Sequence, residues 1–504
     1  MVKERMISDG TLKWLGPAAA GFVAKEKKHF IGGDWVASAS DDWISVVDPA
    51  TGRVFDRVPS GGAAEADRAV AAARKAFEAG AWADMSPADR GRLVWRLGDL
   101  LEQNADEFAE LEALDNGKPV TDARRGDVTF SYELLRYMAG WSTKICGQTV
   151  PLSGANRTHA YTLRAAVGVC GLIVPWNFSL MMAVWKVAPA LAAGCTIVLK
   201  PAEQTPLTAL RLAELVEEAG FPAGVFNVVT GYGESVGAAI ASHPDVDKVS
   251  FTGSTEVGKK ILDAAKGNLK KVTLELGGKS PMIVFPDADI AAAIPAIGYG
   301  AFYNMGQTCT AGTRLYLHRD IADEVLVGLK QFAENLTIGL GLDPATEVGP
   351  LVSREQFDRV SGFVRAGVAD GARLYCGGRR WGAEGYFLEP TILVDTTPDM
   401  SVVQEEIFGP VLCVAQFDGD DIEAVVSEAN RSRYGLAASV FTRDVARAHK
   451  VASRLKAGTI GVNTHHLIDP ALPFGGFKES GWGREHGYEA ILQYTELKSV
   501  GIAL

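Results

Sequence analysis

The chain has 504 residues, 47% of them hydrophobic, with 55 glycines and a formal net charge of −11. That length allows two or more domains with large buried cores, and the acidic balance argues against a nucleic-acid groove. The six cysteines, Cys146, Cys170, Cys195, Cys309, Cys376 and Cys413, are scattered with no C-x-x-C pair and no His-rich ligand spacing. This speaks against a disulfide framework or a metal site and for a reducing, cytoplasmic compartment.

Taken in chain order, residues 1–28 read as a mobile N-terminal extension. Lys3 and Arg5 precede "WLGPAAAGFVA", but Asp9, Lys13 and the Gly16-Pro17 break make a poor signal peptide. Residues 62–140 read as largely helical, with Ala-rich amphipathic stretches such as "AAEADRAVAAARKAFEAG". Between Arg164 and Lys186 there is no charge, a length that suits a membrane span. However, Pro175-Trp176-Asn177 interrupts it, and "VGVCGLIV" before the break is rich in β-branched residues. The expectation is a buried strand, a turn and a buried helix closing at Gly194, with no membrane crossing.

"TIVLK" is the next strand. Thr205 then reads as a helix N-cap, Pro206 as the first helical residue and Gly220 as the helix end. "VFNVVT", "KVSFTG", "KVTLEL" and "PMIVF" continue as strands, with helices after Gly233 and from about Thr255. Strands alternating with helices imply right-handed βαβ units and a mostly parallel sheet. Ligands bind such sheets beyond the carboxyl ends of the strands, which points to 176–177, 200–203, 252–258 and 275–278. A second βα-rich region runs from about Ser280 to Gly476. "YTELKSVGIAL" reads as a terminal strand whose edge pairs with another subunit or within its own chain.

Two Gly-rich loops are near misses. "GSTEVGKK", Gly253 to Lys260, fits the phosphate loop of a nucleotide triphosphatase except that Lys260 replaces the Ser or Thr that would ligate magnesium. "GYGESVG", Gly231 to Gly237, has one residue too many for the dinucleotide fingerprint. A helix starting after Gly253 would still offer its N-terminus to a pyrophosphate. In "FYNMGQTCTAGTR", Cys309 stands among small and hydroxylated residues, which gives a thiol access. A reactive thiol also calls for a depressed pKa.

Together, "PWNF", "KPAEQTPLTA", "FTGSTEVG", "LELGGKSP", "GQTCTAGTR", "EEIFGPV" and "PFGGFKESGWGRE" resemble the NAD(P)-dependent aldehyde dehydrogenase superfamily, in its order, from residue 174 to 485. "IGGDW" and "VDPATG" extend the likeness over nearly all the chain past residue 28. The resemblance implies an α/β protein with a Rossmann-like cofactor domain (29–143 and 167–276), a catalytic domain (277–477) and a small β oligomerisation element (144–166 and 478–504). It implies Cys309 as nucleophile, Asn177 and the Cys309 N–H as oxyanion donors, Glu275 as general base, and Lys186 as a lysine near the site. It also implies cofactor contacts at Ile173, Trp176, Lys200, Glu203, Gly233, Gly253, Ser254, Val257, Gly258, Leu276, Glu406 and Phe408. NAD is expected over NADP, with no metal and assembly as a homodimer or homotetramer.

Two departures from the family pattern bear on the substrate. Ser179 replaces a proline found in many members, and Gly461 replaces a bulky residue, with the expected effect of enlarging the space beside Asn463. "NTHHLIDPALPFGG", Asn463 to Gly476, resembles phenylacetaldehyde-type members, and Phe178, Trp185 and Phe474 would form an aromatic tunnel with Met181 also lining it. An aryl aldehyde is therefore expected, against a broad-range, aliphatic or betaine-type one. A phosphate-loop triphosphatase and a catalytically silent protein of this fold are the competing classes. The missing Ser or Thr disfavours the first, and the intact Cys309, Glu275 and Asn177 set disfavours the second.

Overall fold

In a computed structural model of the chain, residues 11, 13–154, 157–419 and 421–504 are described. Two sheets carry the fold. The first has eight strands, in the order Gly481–Trp482, Lys271–Glu275, Lys248–Thr252, Val169–Ile173, Thr196–Lys200, Phe226–Val228, His29–Ile31 and Asp34–Val36. Its five central strands are parallel. From Val169–Ile173 the chain winds first to one side and, after Phe226–Val228, to the other. The point of reversal opens a crevice at the carboxyl ends of the strands. The second sheet has seven strands built around Arg314–His318 and Pro281–Val284, all parallel except the Arg373–Cys376 edge.

The uncharged stretch forms the strand Val169–Ile173 and the helix Ser179–Ala193, every residue of which is buried. No helix among the described residues is long and apolar enough to cross a membrane. Gly194 and Gly220 both take left-handed conformations, φ 96° and 88°, and end their helices as expected. The helix start near Thr205 differs. Helix Leu207–Ala219 begins one residue later than expected, with Pro206 as N-cap. The Asp115 carboxylate accepts from the Leu207 N–H at 3.2 Å, while the Thr205 hydroxyl donates to the Trp176 carbonyl. A carboxylate distant in sequence has taken the capping role, which local chemistry could not reveal.

The N-terminal expectation needs correcting too. Residues 1–10 and 12 lie outside the described residues, but Pro17–Ala24 is a helix with Ala19, Phe22 and Val23 buried against the first sheet's helical layer. The Gly16 N–H donates to Glu110 at 2.7 Å. Gly481–Trp482 adds a strand to the first sheet beside Leu274 and Glu275, and helix Gly487–Gln493 packs on helix Ser179–Ala193. Only Thr495–Ala503 leaves this body, pairing antiparallel with Thr158–Ala166 of the same chain in a two-stranded ribbon.

Candidate active site

The site lies where the loops of the two sheets meet. Glu275 ends its strand buried, with 4% of its surface exposed, so it is not an ordinary surface charge. The glycines after it are required by close approach. A Cβ on Gly277 would meet the Glu406 carboxylate, and one on Gly278 would meet the Cys309 carbonyl. The Gly278 N–H donates to Glu406 at 2.9 Å. The Leu276 N–H donates to the Ser480 carbonyl at 3.0 Å, so the C-terminal segment fastens the backbone beside Glu275.

Lys186 is completely buried rather than a charge on the helix surface, and its Nζ lies 2.5 Å from Glu485 Oε1. Burial raises Glu275 well above the usual carboxylate range. The Glu485 charge adds to this, and Lys186 and Arg484 oppose it. Glu406 is pushed up to about 7 by burial, against the Gly278 N–H and the charges of Lys279 and Arg359.

Cys309 follows a strained approach. Asn304, Met305 and Gly306 are successive residues with positive φ, 49°, 55° and 67°. L-residues hold that conformation only when their surroundings fix it. Here the Asn304 amide donates to the Asn177 carbonyl at 2.9 Å. The expected lowered thiol pKa is not what the fold provides. Burial, then the charges of Glu406 and Glu275, push the Cys309 thiol up to about 12, and the Thr310 and Cys309 N–H groups only partly offset this. A thiol here rests protonated at neutral pH and needs a base to become a nucleophile.

Asn177 is also more committed than expected. Its Nδ2 donates to the Gln307 carbonyl at 2.9 Å, leaving one amide N–H for an oxyanion. Its own carbonyl accepts from Lys118 at 2.9 Å. Lys118 in turn pairs with Asp127 and Glu112, and the Glu112 carboxylate caps the Ser179 helix through the Ser179 and Leu180 N–H groups. A proline at 179 would lack the first of these donors. Glu485 and the buried Glu112–Lys118–Asp127 group were missed in the sequence. The only available signal was charge inside otherwise apolar or Gly-flanked runs.

A cavity of about 380 Å³ has Cys309 in its wall together with Phe178, Met181, Trp185 and Phe474. Asn177, Glu275 and Lys186 lie outside this lining. Tyr303 stacks on Phe178 at 6.0 Å, and Trp185 meets Phe474 edge-on at 5.0 Å. Gly461 does not enlarge the space beside Asn463. A Cβ there would strike the Thr464 carbonyl, and the neighbouring void is only about 10 Å³.

The cofactor candidates gather at the crevice of the first sheet. Ile173 and Lys200 end adjacent parallel strands, and Trp176 follows in the turn. Gly253 and Ser254 lead into helix Thr255–Ala265, whose first turn holds Val257 and Gly258. The Ser254 hydroxyl accepts from the Val257 N–H. A Cβ on Gly258 would overlap Leu276. Gly233 starts the turn Gly233–Gly237 with open space before it. Lys200 pairs with Glu203 at 2.9 Å. From the second sheet's side, Phe408 meets Trp176 edge-on at 5.2 Å. Thr252 Oγ1 and Glu275 Oε2 are buried without hydrogen-bond partners at the strand ends. Orphaned polar atoms beside a helix N-terminus and an acid–lysine pair fit a dinucleotide.

The site joins a thiol in the wall of an aromatic cavity to a buried carboxylate and a strand-end crevice, the parts an oxidoreductase with a dinucleotide cofactor needs. The sequence model of the aldehyde dehydrogenase family matches residues 35–500, and the chain belongs to that family. Phenylacetaldehyde dehydrogenase of Pseudomonas fluorescens is 50% identical over 479 residues, covering 94% of this chain and 95% of the relative. Aldehyde dehydrogenase 1A1 of Mesocricetus auratus is 47% identical over 479 residues, 95% of each chain. The NAD+ complex of an aldehyde dehydrogenase from Bacillus cereus superimposes with a TM-score of 0.95 at 48% identity, covering 97% of this chain and 99% of that one. The chain is therefore an NAD-dependent aldehyde oxidoreductase, and the triphosphatase reading of Gly253–Lys260 falls away.

Proposed function

We propose that the enzyme oxidises an arylacetaldehyde of the phenylacetaldehyde type to its carboxylic acid, with NAD preferred. The aromatic cavity with Cys309 in its wall is the observation that carries this reading. The 50% identity to a phenylacetaldehyde dehydrogenase supports it.

In this reading Cys309 Sγ loses its proton and adds to the aldehyde carbon. The carbonyl oxygen becomes an oxyanion, met by the free N–H of Asn177 and the Cys309 N–H. NAD, when bound, accepts the hydride that leaves the tetrahedral carbon. What remains on the protein is an acyl thioester at Cys309. Glu275 then takes a proton from the water that hydrolyses it. Lys186 acts through Glu485, whose charge bears on Glu275. Lys200 and Glu203 hold the adenosine ribose, and Glu406 the nicotinamide ribose beside Phe408 and Trp176. Ile173, Gly233, Gly253, Ser254, Val257, Gly258 and Leu276 form the bed of the dinucleotide.

The same reading makes 29–143 with 167–276 the cofactor domain and 277–477 the catalytic domain. The ribbon of 158–166 and 495–503 is the contact between copies in a dimer or tetramer, its exposed Leu163, Leu497 and Ile502 available for burial. All six cysteines are free thiols, which suits the cytoplasm.

Steady-state assays with an aldehyde panel test the substrate. Stacking in the cavity should favour phenylacetaldehyde over acetaldehyde by a few-fold to about tenfold in kcat/KM, or roughly 0.5–1.5 kcal/mol. Equal values for the two would sink the aryl assignment. For the cofactor, Lys200 is already engaged by Glu203, and that carboxylate would repel a 2′-phosphate. The kcat/KM for NAD should exceed that for NADP by about tenfold, the scale of one like-charge contact in a partly solvated site. Parity would mean that Lys200 turns from Glu203 to the phosphate.

A further inference from the structure

Thr310, the residue after Cys309, is held from two sides by consecutive histidines. His465 Nε2 lies 2.8 Å from the Thr310 carbonyl oxygen. His466 Nδ1 lies 3.0 Å from the Thr310 hydroxyl. Each ring has a second anchor. His465 Nδ1 is 2.6 Å from the Ser439 hydroxyl, and His466 Nε2 is 3.1 Å from the Gly300 carbonyl.

These partners fix the tautomers. A carbonyl only accepts, so both Nε2 atoms carry hydrogen. Burial keeps both rings neutral, so both Nδ1 atoms accept, and the Ser439 and Thr310 hydroxyls donate to them. The surroundings are shaped for this arrangement. A Cβ on Gly300 would run into the His465 ring. His466 holds a left-handed backbone with φ 53°, and its ring packs against Tyr303 at 5.7 Å in the wall of the Cys309 cavity.

We propose that His465 and His466 are positioning residues for the nucleophile, gripping Thr310 by its hydroxyl and its carbonyl and so fixing the backbone that carries Cys309. The Thr310 N–H favours the thiolate against burial and the charges of Glu406 and Glu275. That N–H sits on the peptide shared with Cys309, and a Thr310 free to turn about its backbone would lose it as a donor. This rests on Cys309 being the nucleophile.

The test is the pH profile of Cys309 alkylation by iodoacetamide in the intact enzyme, read by mass spectrometry of the peptide containing Cys309. His466→Phe keeps the ring volume and removes both hydrogen bonds. Thr310→Val removes the hydroxyl at nearly constant volume and stands in if the histidine variant does not fold. Either should move the profile to higher pH and slow alkylation about tenfold at neutral pH, since one pKa unit changes the thiolate fraction tenfold. Thr310→Ser, which restores the hydroxyl, should return most of the loss. A wild-type alkylation profile in both His466→Phe and Thr310→Val would overturn the proposal. So would a change confined to aldehyde KM, because His466 would then be a wall of the cavity and nothing more. Failure of the underlying reading looks different: Cys309→Ala would still oxidise aldehyde.

Discussion

Cys309→Ala should abolish aldehyde-dependent NADH formation while leaving NAD binding unchanged. Without the sulfur no thiohemiacetal forms, and hydride has no tetrahedral carbon to leave. Loss of a covalent nucleophile costs about 10⁴-fold or more. Structurally the change is mild: the residue is half-buried in a cavity wall, and among the described residues its Sγ makes no hydrogen bond that holds another element. The cofactor crevice is built from other residues, so an NAD-induced rise in melting temperature should match the wild type. Turnover near the wild-type rate would remove Cys309 from the chemistry. Lost NAD binding would show that the variant had damaged the crevice instead.

Glu275→Gln should uncouple the two halves of the reaction. Gln keeps the size and removes the base, which typically costs about 10²–10⁴-fold in the step it serves. Deacylation then limits turnover. NADH should appear in a burst approaching one equivalent per functional site, followed by a slow phase. The peptide containing Cys309 should carry an acyl adduct after quenching. The electrostatics add a second signature. Burial and the Glu485 charge raise Glu275, so in the wild type its basic form accumulates only above the ordinary carboxylate range. Deacylation should therefore rise with pH through that ionisation, and the limb should vanish in the variant. Because burial pushes the Cys309 thiol up to about 12, its deprotonation also calls for a base, and Glu275 is the candidate. A burst slowed for that reason should recover as pH rises and thiolate forms unaided. Wild-type deacylation, or no acylation even at high pH, would rule Glu275 out as the deacylation base.

Much of the architecture was legible because it depends on local signals. β-Branched runs such as residues 169–173 and glycines such as Gly194 and Gly220 announce strands and helix ends by their own chemistry. The strand ends at 275–278 were marked in the same way, and there Gly277 and Gly278 lie against Glu406 and the Cys309 carbonyl. What stayed hidden depends on partners remote in the chain. Asp115 displaces the expected cap at Thr205. Lys118 takes up the Asn177 carbonyl. Burial beside two carboxylates reverses the expected direction of the Cys309 pKa. Within the expected extension, Pro17–Ala24 forms a helix that packs on Ala105–Asn116, a partner remote in the chain. None of these follows from spacing, since each is a property of the assembled core.

The Lys186–Glu485 pair also bears on how the chain comes to be folded. Its members are 299 residues apart, and helix Ser179–Ala193 is buried along its whole length. An ammonium sealed in that interior without its carboxylate would carry a large desolvation cost. Closing that body before Glu485 has been made would leave Lys186 buried without its carboxylate. Contacts of such long sequence separation form late and slowly. The candidate site depends on the same segment, because the backbone beside Glu275 is fastened by Ser480. By the same argument the site is complete only once residues 480–485 have joined the first sheet.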